Sequence, residues 1–103
     1  MFVLETIEDR VRARLIKYLG RDDTGIRKEV LKLFLEGGSF TTNDVYEQLQ
    51  KRGYNVSYRG VSAMVGLMNT RLGILSINVT GDHNIYSLKE DYREIVASVL
   101  KNY

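Results

Sequence analysis

The stretch between residues 55 and 88 constrains the fold more than any other, because a helical pattern there passes directly into a two-stranded pattern. In its first half, apolar residues recur every three or four positions, as on one face of an amphipathic helix: Tyr58, Val61, Met64, Val65, Met68 and Leu72. In its second half, two runs rich in β-branched residues flank a polar, turn-forming segment at residues 80–84. We therefore predict a helix over residues 58–72, followed by a hairpin with strands at 74–79 and 85–88.

Further helices are predicted on both sides of this stretch. Apolar periodicity predicts helices over residues 7–19, 26–36 and 43–52, and a last helix from residue 91 to about residue 102. Residues that cap helix N-termini stand where these helices should begin: Thr6, Asp23 or Thr24, Thr41 or Thr42, Ser57, and Asp91. Phe40 is expected either to pack as a hydrophobic staple before the third helix or to form a short strand that pairs with the hairpin.

The resulting order, α-α-α-α-β-β-α, predicts a mainly α chain with a small antiparallel β hairpin, an α+β fold of winged helix-turn-helix type. With 103 residues and no internal repeat or long linker, the chain fits a single domain, residues 1–103. The winged-helix core is predicted at about 26–88, with flanking helices at about 7–19 and 91–102. In this architecture the helix over 58–72 is the one that enters the major groove of DNA.

The chain has no cysteine and a single histidine, His83. Disulfides, thiolate metal ligands and thiol nucleophiles are therefore excluded. His83 stands beside Asp82 in a turn, where it forms no recognisable nucleophile–base pair, and no glycine-rich phosphate loop is present. We expect no catalytic site, no metal site and no cofactor, and hence a protein that is not an enzyme.

No segment of the chain has the pattern of a signal peptide or a membrane span. The apolar run at residues 1–4 is followed at once by Glu5, which leaves no apolar core for a signal peptide. No other apolar run approaches the length of a membrane span. We expect a cytoplasmic protein with no membrane partner.

The charge is small in total but uneven along the chain. The formal net charge is +2, from 15 basic and 13 acidic residues. Residues 45–71 carry Lys51, Arg52, Arg59 and Arg71 against Glu47 alone, a local excess of three positive charges that leaves the remainder at −1. This asymmetry favours double-stranded DNA as the partner of the helix over 58–72.

Two segments of the predicted core resemble the winged-helix domain of ferric uptake regulator-type transcription regulators. They are FTTNDVYEQL at residues 40–49 and GYNVS at residues 53–57. The resemblance implies a winged helix that binds duplex DNA. The chain departs from that family at residues 60–63, which read Gly-Val-Ser-Ala where the family has Thr-Val-Tyr-Arg, and it lacks the family's metal-binding His and Cys and its dimerisation domain.

Nearly the whole chain is also similar to a small archaeal family of uncharacterised function. The stretches that carry this resemblance are TGIRKEVLKLFLEG at residues 24–37, NVSYRGVSAMVGLM at 55–68, TRLGIL at 70–75 and IYSLKEDY at 85–92. It implies the same fold and no particular activity.

The predicted DNA contacts lie on the helix over 58–72 and on the turn before it. Arg59 is suited to pair with guanine or a phosphate, and Asn69 to read adenine. Lys51, Arg52 and Arg71 are expected to neutralise phosphates, while Ser57 holds a phosphate at the helix N-terminus. The complete predicted set is Ser57, Tyr58, Arg59, Ser62, Asn69, Arg71, Lys51 and Arg52.

Gly60, Ala63 and Gly66 recur at every third position of the same helix and form a smooth strip. One interpretation is close approach to a DNA backbone. The interpretation that we favour is close packing inside the domain or against a second copy, because each glycine inside a helix costs ~1 kcal/mol relative to alanine and usually has a packing reason.

Two further alternatives stay open. The hairpin tip carries no Lys or Arg and includes Asp82, which favours a winged helix that assembles with another protein and does not bind DNA. The flanking helices carry apolar stripes that predict either a homodimer interface or a cover for the same core. The basic face of the first helix is expected to be solvated, with phosphate contact as the alternative: Arg10, Arg12, Arg14 and Lys17.

Overall fold

The computed structural model describes residues 6–102, and this part of the chain contains five α-helices, one 3-10 turn and a two-stranded antiparallel sheet. In chain order the elements are α1 (Ile7–Leu19), α2 (Ile26–Leu35), α3 (Thr42–Lys51), α4 (Tyr58–Thr70), β1 (Leu75–Thr80), β2 (His83–Leu88), the 3-10 turn (Glu90–Tyr92) and α5 (Arg93–Leu100). The predicted fold class is confirmed: a mainly helical α+β chain whose helices and hairpin follow a winged-helix-like arrangement. The ends of the predicted domain, residues 1–5 and 103, lie outside the described residues.

Two of the helices begin at capping boxes, whose N-cap residues are among those that the sequence predicts. The Oγ1 of Thr6 accepts a hydrogen bond from the N–H of Asp9 at 3.0 Å, and the carboxylate of Asp9 accepts one from the N–H of Thr6. Thr41 and Asp44 repeat the arrangement at α3. Each box satisfies two N–H groups that have no partner within the helix, which fixes the first residue of α1 and of α3.

At the start of α2 neither Asp23 nor Thr24, the two predicted candidates, is the N-cap, although the Oγ1 of Thr24 accepts a long hydrogen bond, 3.4 Å, from the N–H of Ile26. Gly25 holds that position with a φ of +81°, a left-handed conformation that favours glycine. The capping oxygens come from Asp22, which accepts hydrogen bonds from the N–H groups of Arg27 and Lys28, both at 3.1 Å. The glycine turns the chain so that a carboxylate further upstream reaches the end of the helix.

The end of the chain corrects a second capping prediction. Asp91 lies inside the 3-10 turn, and α5 begins after it with no side-chain hydrogen bond at its N-cap, Tyr92. Arg93 serves the other end of α2 instead, since its Nη1 donates to the carbonyl oxygen of Leu35 at 2.6 Å. A cation at a helix C-terminus satisfies a free carbonyl and complements the helix dipole.

The hairpin is tighter than the sequence indicates. Thr80 pairs with His83, so the connection has only two residues, Gly81 and Asp82, and His83 and Asn84 belong to β2. Gly81 has a φ of +71°, and no residue other than glycine has a positive φ in the described chain. A positive φ at the first of two turn residues is the pattern of a type II′ turn, which matches the twist of antiparallel strands.

Phe40 forms a short strand that pairs with the hairpin, the second of the two predicted roles. Its N–H and carbonyl oxygen exchange hydrogen bonds with those of Tyr86, both at 2.8 Å. The Phe40 ring also packs edge-on against Phe34 of α2, with centroids 5.6 Å apart. The hairpin is therefore joined to the segment between α2 and α3 as well as to α4.

The flanking helices cover the same core, which is the second of the two roles predicted for their apolar stripes. α1 packs against α5, and the apolar residues of both are buried in one cluster with those of α2 and α4. The Nη1 of Arg12 donates to the Oγ of Ser98 at 3.2 Å across their contact. Ile7 and Ile16 remain exposed at 68% and 45%. A homodimer through these helices stays a prediction.

Candidate nucleic-acid interface

One side of α4 is buried and the opposite side is open to solvent. Val61, Val65 and Met68 are fully buried against the core. On the opposite side, the residues exposed or half-exposed along the helix are mostly small and polar: Arg59, Gly60, Ser62, Ala63, Gly66, Asn69 and Thr70. We call this set the outer face of α4.

The strip of small residues on this face does not pack inside the domain, so the explanation that we favour from the sequence is wrong in that respect. A Cβ atom added at Gly66 would have no atom within 4 Å except those of its own helix and its chain neighbours. At Gly60 it would lie 3.2 Å from the Oγ of Ser57. The glycines therefore leave the outer face of α4 shallow and accessible to whatever approaches it.

The outer face carries one cation and no acid. No Asp or Glu occurs between Gln48 and Gly81, a stretch that holds the whole of α4 and the turn before it. Within the described residues, the Arg59 guanidinium forms no hydrogen bond or ion pair. Its charge is therefore available to an anionic partner.

The turn between α3 and α4 holds the start of this face in place. Gly53 has a φ of +86°, and the side-chain amide of Gln50 donates to the carbonyl oxygen of Val56 at 3.0 Å. Ser57 caps α4, with its Oγ accepting a hydrogen bond from the N–H of Gly60 at 3.0 Å. The ring of Tyr58 is half-exposed and packs edge-on against Tyr46 of α3, with centroids 5.8 Å apart.

The two predicted phosphate contacts at the end of α3 have different surroundings. Lys51 is exposed. Arg52 forms ion pairs with Glu29, through Nη1, and with Glu36, through Nη2 at 3.6 Å. The hydrogen bond to the Glu29 carboxylate is the main reason that the pKa of Arg52 is raised above its usual value. Because Glu29 and Glu36 already pair with Arg52, we expect Arg52 to bind a phosphate less strongly than Lys51 does.

The last two predicted residues lie toward the C-terminal end of α4. Asn69 is half-exposed on the outer face. Arg71 follows the helix, about 18 Å along the axis from Arg59, and lines a cleft shared with α1 and the start of α2. The structure thus brings Ser57, Tyr58, Arg59 and Ser62 onto one surface and places Arg71 in a different one. Whether any of the eight contacts DNA stays a prediction.

The hairpin presents another kind of surface. Ile77 is 42% exposed and Val79 is 69% exposed on β1. Asp82 and His83 are exposed at the tip. The hairpin therefore offers apolar side chains and a carboxylate, a combination poorly suited to phosphate.

The cleft beside Arg71 could not be found from the sequence. Its residues come from α1, from the start of α2 and from the end of α4, and no local pattern joins these segments. The weak signal was the basic face of the first helix, two of whose residues, Arg14 and Lys17, line it.

Comparison with known proteins places the chain in a family. The chain belongs to the protein family of unknown function DUF2551, whose model matches residues 15–96. It is 47% identical, over 93 residues, to a protein of Archaeoglobus fulgidus described as uncharacterized; the match covers 90% of this chain and 95% of the relative. The prediction of an archaeal family of uncharacterised function is confirmed.

Among the helices described between residues 6 and 102, none is both long enough and apolar enough to cross a membrane. The same residues contain no group of three or more His, Asp or Glu side chains placed to hold a metal ion.

Proposed function

We propose that the protein is a winged-helix DNA-binding protein, acting as a transcriptional regulator, whose helix α4 docks in the major groove of double-stranded DNA. The observation that carries the proposal is the outer face of α4: it is accessible, built of small and polar residues, free of acids, and supplied with the unpaired cation Arg59. A face of this composition can approach a polyanion closely without burying a carboxylate against a phosphate.

The groove geometry suits the helix. The major groove of B-DNA is about 12 Å wide and admits one α-helix. Because Gly60, Ala63 and Gly66 add almost nothing to the width of the outer face, the backbone of α4 can approach the base edges. Arg59 and Ser62 then reach bases or phosphates near the N-terminal end of the helix, and Asn69 reaches them near its C-terminal end.

The helix α3 braces the DNA backbone beside the groove. Lys51 is the exposed cation at its C-terminal end, and the capped start of α4 at Ser57 adds free N–H groups of the first turn. With so few cations, binding is expected to be weak at physiological salt and to depend steeply on ionic strength. One arginine and two short polar side chains favour modest sequence preference over strict readout.

The proposal is tested by a gel shift at low salt with a mixture of duplexes, comparing the wild type with Arg59→Ala. The wild type should retard duplex DNA and lose affinity as salt is raised. Arg59→Ala should weaken binding by about tenfold and make the dependence of log K on log salt shallower by about 1. Lys101→Ala, which removes an exposed cation beyond α5, is the matched control and should behave as the wild type.

A wild type that fails to retard any duplex at low salt would exclude this function. So would a binding affinity that does not change with salt, since phosphate contacts must release counterions. Equal losses in Arg59→Ala and Lys101→Ala would indicate that only total charge matters and that α4 is not the docking element.

The exposed apolar hairpin favours a second candidate, a winged-helix protein-interaction module that does not bind DNA. Ile77 and Val79 give β1 an exposed apolar surface next to an acidic tip. The double variant Ile77→Ser/Val79→Ser tests whether the hairpin contributes to DNA binding. If the protein acts on DNA through α4, duplex affinity in this variant should stay within about twofold of wild type, because the changed residues lie on the hairpin.

A further inference from the structure

A cleft of about 410 Å³ opens between the C-terminal half of α1, the start of α2 and the end of α4. Five cationic side chains line it: Arg14, Lys17, Arg21, Arg27 and Arg71. The other three lining residues are Tyr18, Leu67 and Leu72. These cations come from three separate segments, so the fold itself brings them together. The cleft lies beyond the C-terminal end of the outer face of α4 and is a separate surface.

The positive charge in the cleft is only partly compensated within the described chain. No carboxylate lines it, and none of its five cations forms an ion pair among residues 6–102. Asp22 is the acid next to Arg21, but its two oxygens already accept the N–H groups of Arg27 and Lys28 at the start of α2. Like charges gathered in one depression repel each other, and a bound anion would relieve that repulsion.

Two of the cations are held in position by the protein. The Nη1 of Arg27 donates to the carbonyl oxygen of Tyr18 at 2.8 Å, and its guanidinium carbon lies 4.4 Å from the centroid of the Tyr18 ring. The Nη1 of Arg14 donates to the carbonyl oxygen of Arg71 at 3.5 Å, a weaker contact that links α1 to the end of α4. Positioning of this kind lowers the entropy that a ligand must overcome on binding.

Tyr18 forms part of the wall of the cleft. The residue lines the cleft and is only 7% exposed, yet its hydroxyl has no hydrogen-bond partner in the described part of the chain. Because the hydroxyl has almost no accessible surface, a ligand in the cleft cannot reach it, and Tyr18 contributes its ring and not its hydroxyl. Burial raises the pKa of Tyr18 to about 12, so the phenol stays protonated to a higher pH than an ordinary tyrosine does.

The shape and walls of the cleft define the class of ligand. Its volume falls within the roughly 300–1,000 Å³ typical of small-molecule sites. A DNA duplex is too large to enter this depression, and its major groove is the part of it that receives an α-helix. Leu67, Leu72 and the ring of Tyr18 provide apolar walls beside the cations, which suits a ligand with an apolar or ring portion as well as several negative charges.

We propose that this cleft binds a small organic phosphate, a molecule that carries a phosphate or polyphosphate group on a ring or apolar body. Arg14, Lys17, Arg21, Arg27 and Arg71 hold the phosphate oxygens. The apolar body packs on Leu67 and Leu72. The site is independent of DNA binding by α4.

Titration calorimetry and thermal unfolding with three probes, in buffer free of divalent ions, test this assignment. ADP combines charge with a ring, pyrophosphate has the charge alone, and adenosine has the ring alone. ADP should bind best, pyrophosphate more weakly and adenosine not at all. At a hundredfold excess over its dissociation constant, ADP should raise the unfolding temperature by about 10 °C.

Two variants locate the site. Lys17→Ala/Arg21→Ala removes two exposed cations of the cleft and should weaken ADP binding by at least roughly tenfold, while duplex binding stays close to that of wild type. Arg59→Ala should do the reverse, keeping ADP affinity within about twofold and losing affinity for duplex. This pair separates the cleft from the outer face of α4, so either function can fail without the other.

Several outcomes would overturn the assignment. The absence of binding by both ADP and pyrophosphate would do so, and so would binding that Lys17→Ala/Arg21→Ala leaves unchanged. If that variant instead loses duplex affinity and keeps its affinity for ADP, the cleft cations contact the DNA backbone and the proposed ligand is wrong. If the wild type binds duplex normally but binds none of ADP, pyrophosphate and adenosine, the cleft proposal is wrong and the proposed DNA binding is unaffected.

Discussion

The outer face of α4 and the cleft at its C-terminal end both present arginine, and they do so in opposite ways. On the outer face, Arg59 stands alone on an open, shallow surface of small residues. In the cleft, Arg71 meets four other cations in a depression walled by leucine and a buried tyrosine. The two surfaces belong to the same helix and its end, about 18 Å apart.

This difference indicates what each surface can bind. A large polyanion distributes its charge over many sites, so a shallow face with one cation can contribute to binding it through close approach. A small anion concentrates its charge, so it needs several cations around one point. The arrangement of the cations therefore distinguishes the two surfaces more clearly than the net charge of +2 does.

The largest expected effect comes from placing a carboxylate on the outer face. Ser62→Asp should weaken duplex binding at low salt by roughly a hundredfold, because a like charge against a phosphate costs several kcal/mol. Ser62→Asn is the control of equal size and should lose less than about fivefold. The readout is a gel shift for both variants, with calorimetric binding of ADP as the second measurement, which neither variant should change.

An unchanged duplex affinity in Ser62→Asp would mean that α4 does not face DNA. A parallel loss in Ser62→Asn would trace the effect to bulk at this position and not to charge.

The next effect concerns the wall of the cleft and appears at high pH. Because the pKa of Tyr18 is raised from 10 to about 12 in the folded chain, both states are protonated below pH 10, and only the unfolded state ionises between pH 10 and about 12. The folded state then holds one more proton, so the free energy of unfolding should fall with rising pH by about 1.4 kcal/mol per unit in that window.

Tyr18→Phe removes this pH dependence of the free energy of unfolding. Comparison of the variant with wild type therefore separates the contribution of Tyr18 from those of the other tyrosines. The difference in free energy of unfolding between Tyr18→Phe and wild type, from urea melts, should be constant below pH 9 and should grow in favour of the variant above pH 10. A difference that does not change with pH would show that the Tyr18 hydroxyl ionises as readily in the folded chain as in the unfolded one.

A smaller effect is expected from the two glycines of the outer face. Gly66→Ala should stabilise the fold by about 0.5–1 kcal/mol, since alanine favours the helix and the added Cβ meets open space. Gly60→Ala should gain less, because its Cβ would lie 3.2 Å from the Oγ of the N-cap residue Ser57. Chemical denaturation of the two variants tests the contrast, and equal gains would contradict it.

If α4 lies close against DNA, Gly66→Ala should also lower duplex affinity while it raises stability. A variant that is more stable but binds duplex more weakly would show that Gly66 serves binding. A variant that is more stable and binds duplex as well as wild type would show that it does not.

The smallest effect is expected at Arg52. Because Glu29 and Glu36 already pair with this guanidinium, Arg52→Ala should reduce duplex affinity by less than about threefold, whereas Arg59→Ala should reduce it by about tenfold. Stability should change by no more than about 1 kcal/mol, as for other exposed ion pairs. A loss at Arg52 equal to that at Arg59 would show that DNA competes successfully for the paired guanidinium.

Local signals in the sequence predict the elements well where a short-range hydrogen bond decides the boundary. The predicted range of α1 matches Ile7–Leu19, because Thr6 and Asp9 cap it across three residues. The same reasoning locates the start of α4 at Ser57. Periodicity and glycine placement were sufficient for the order of helices and strands.

Local signals in the sequence fail where interacting residues are distant in sequence, or where a turn of the backbone brings an unexpected residue to the end of a helix. Asp22 reaches α2 only because Gly25 takes a left-handed conformation, and the residue pattern alone favours Asp23 or Thr24. The role of Gly66 depends on which residues pack against it in the folded chain. The cleft cations come from three segments that are distant in sequence. These features require the packed chain, since no spacing along the sequence encodes them.

The pairing of Phe40 with Tyr86 has a mechanical consequence. It connects the hairpin to the residue just before the cap of α3 by two hydrogen bonds of 2.8 Å, so a force on the hairpin is transmitted directly to the helix-turn-helix. The hairpin cannot swing as an independent arm, because bending it at its base would break these bonds or pull the Phe40 ring from its contact with Phe34. A partner that pulls on the exposed Ile77 and Val79 would therefore load the two hydrogen bonds that hold the hairpin beside the start of α3.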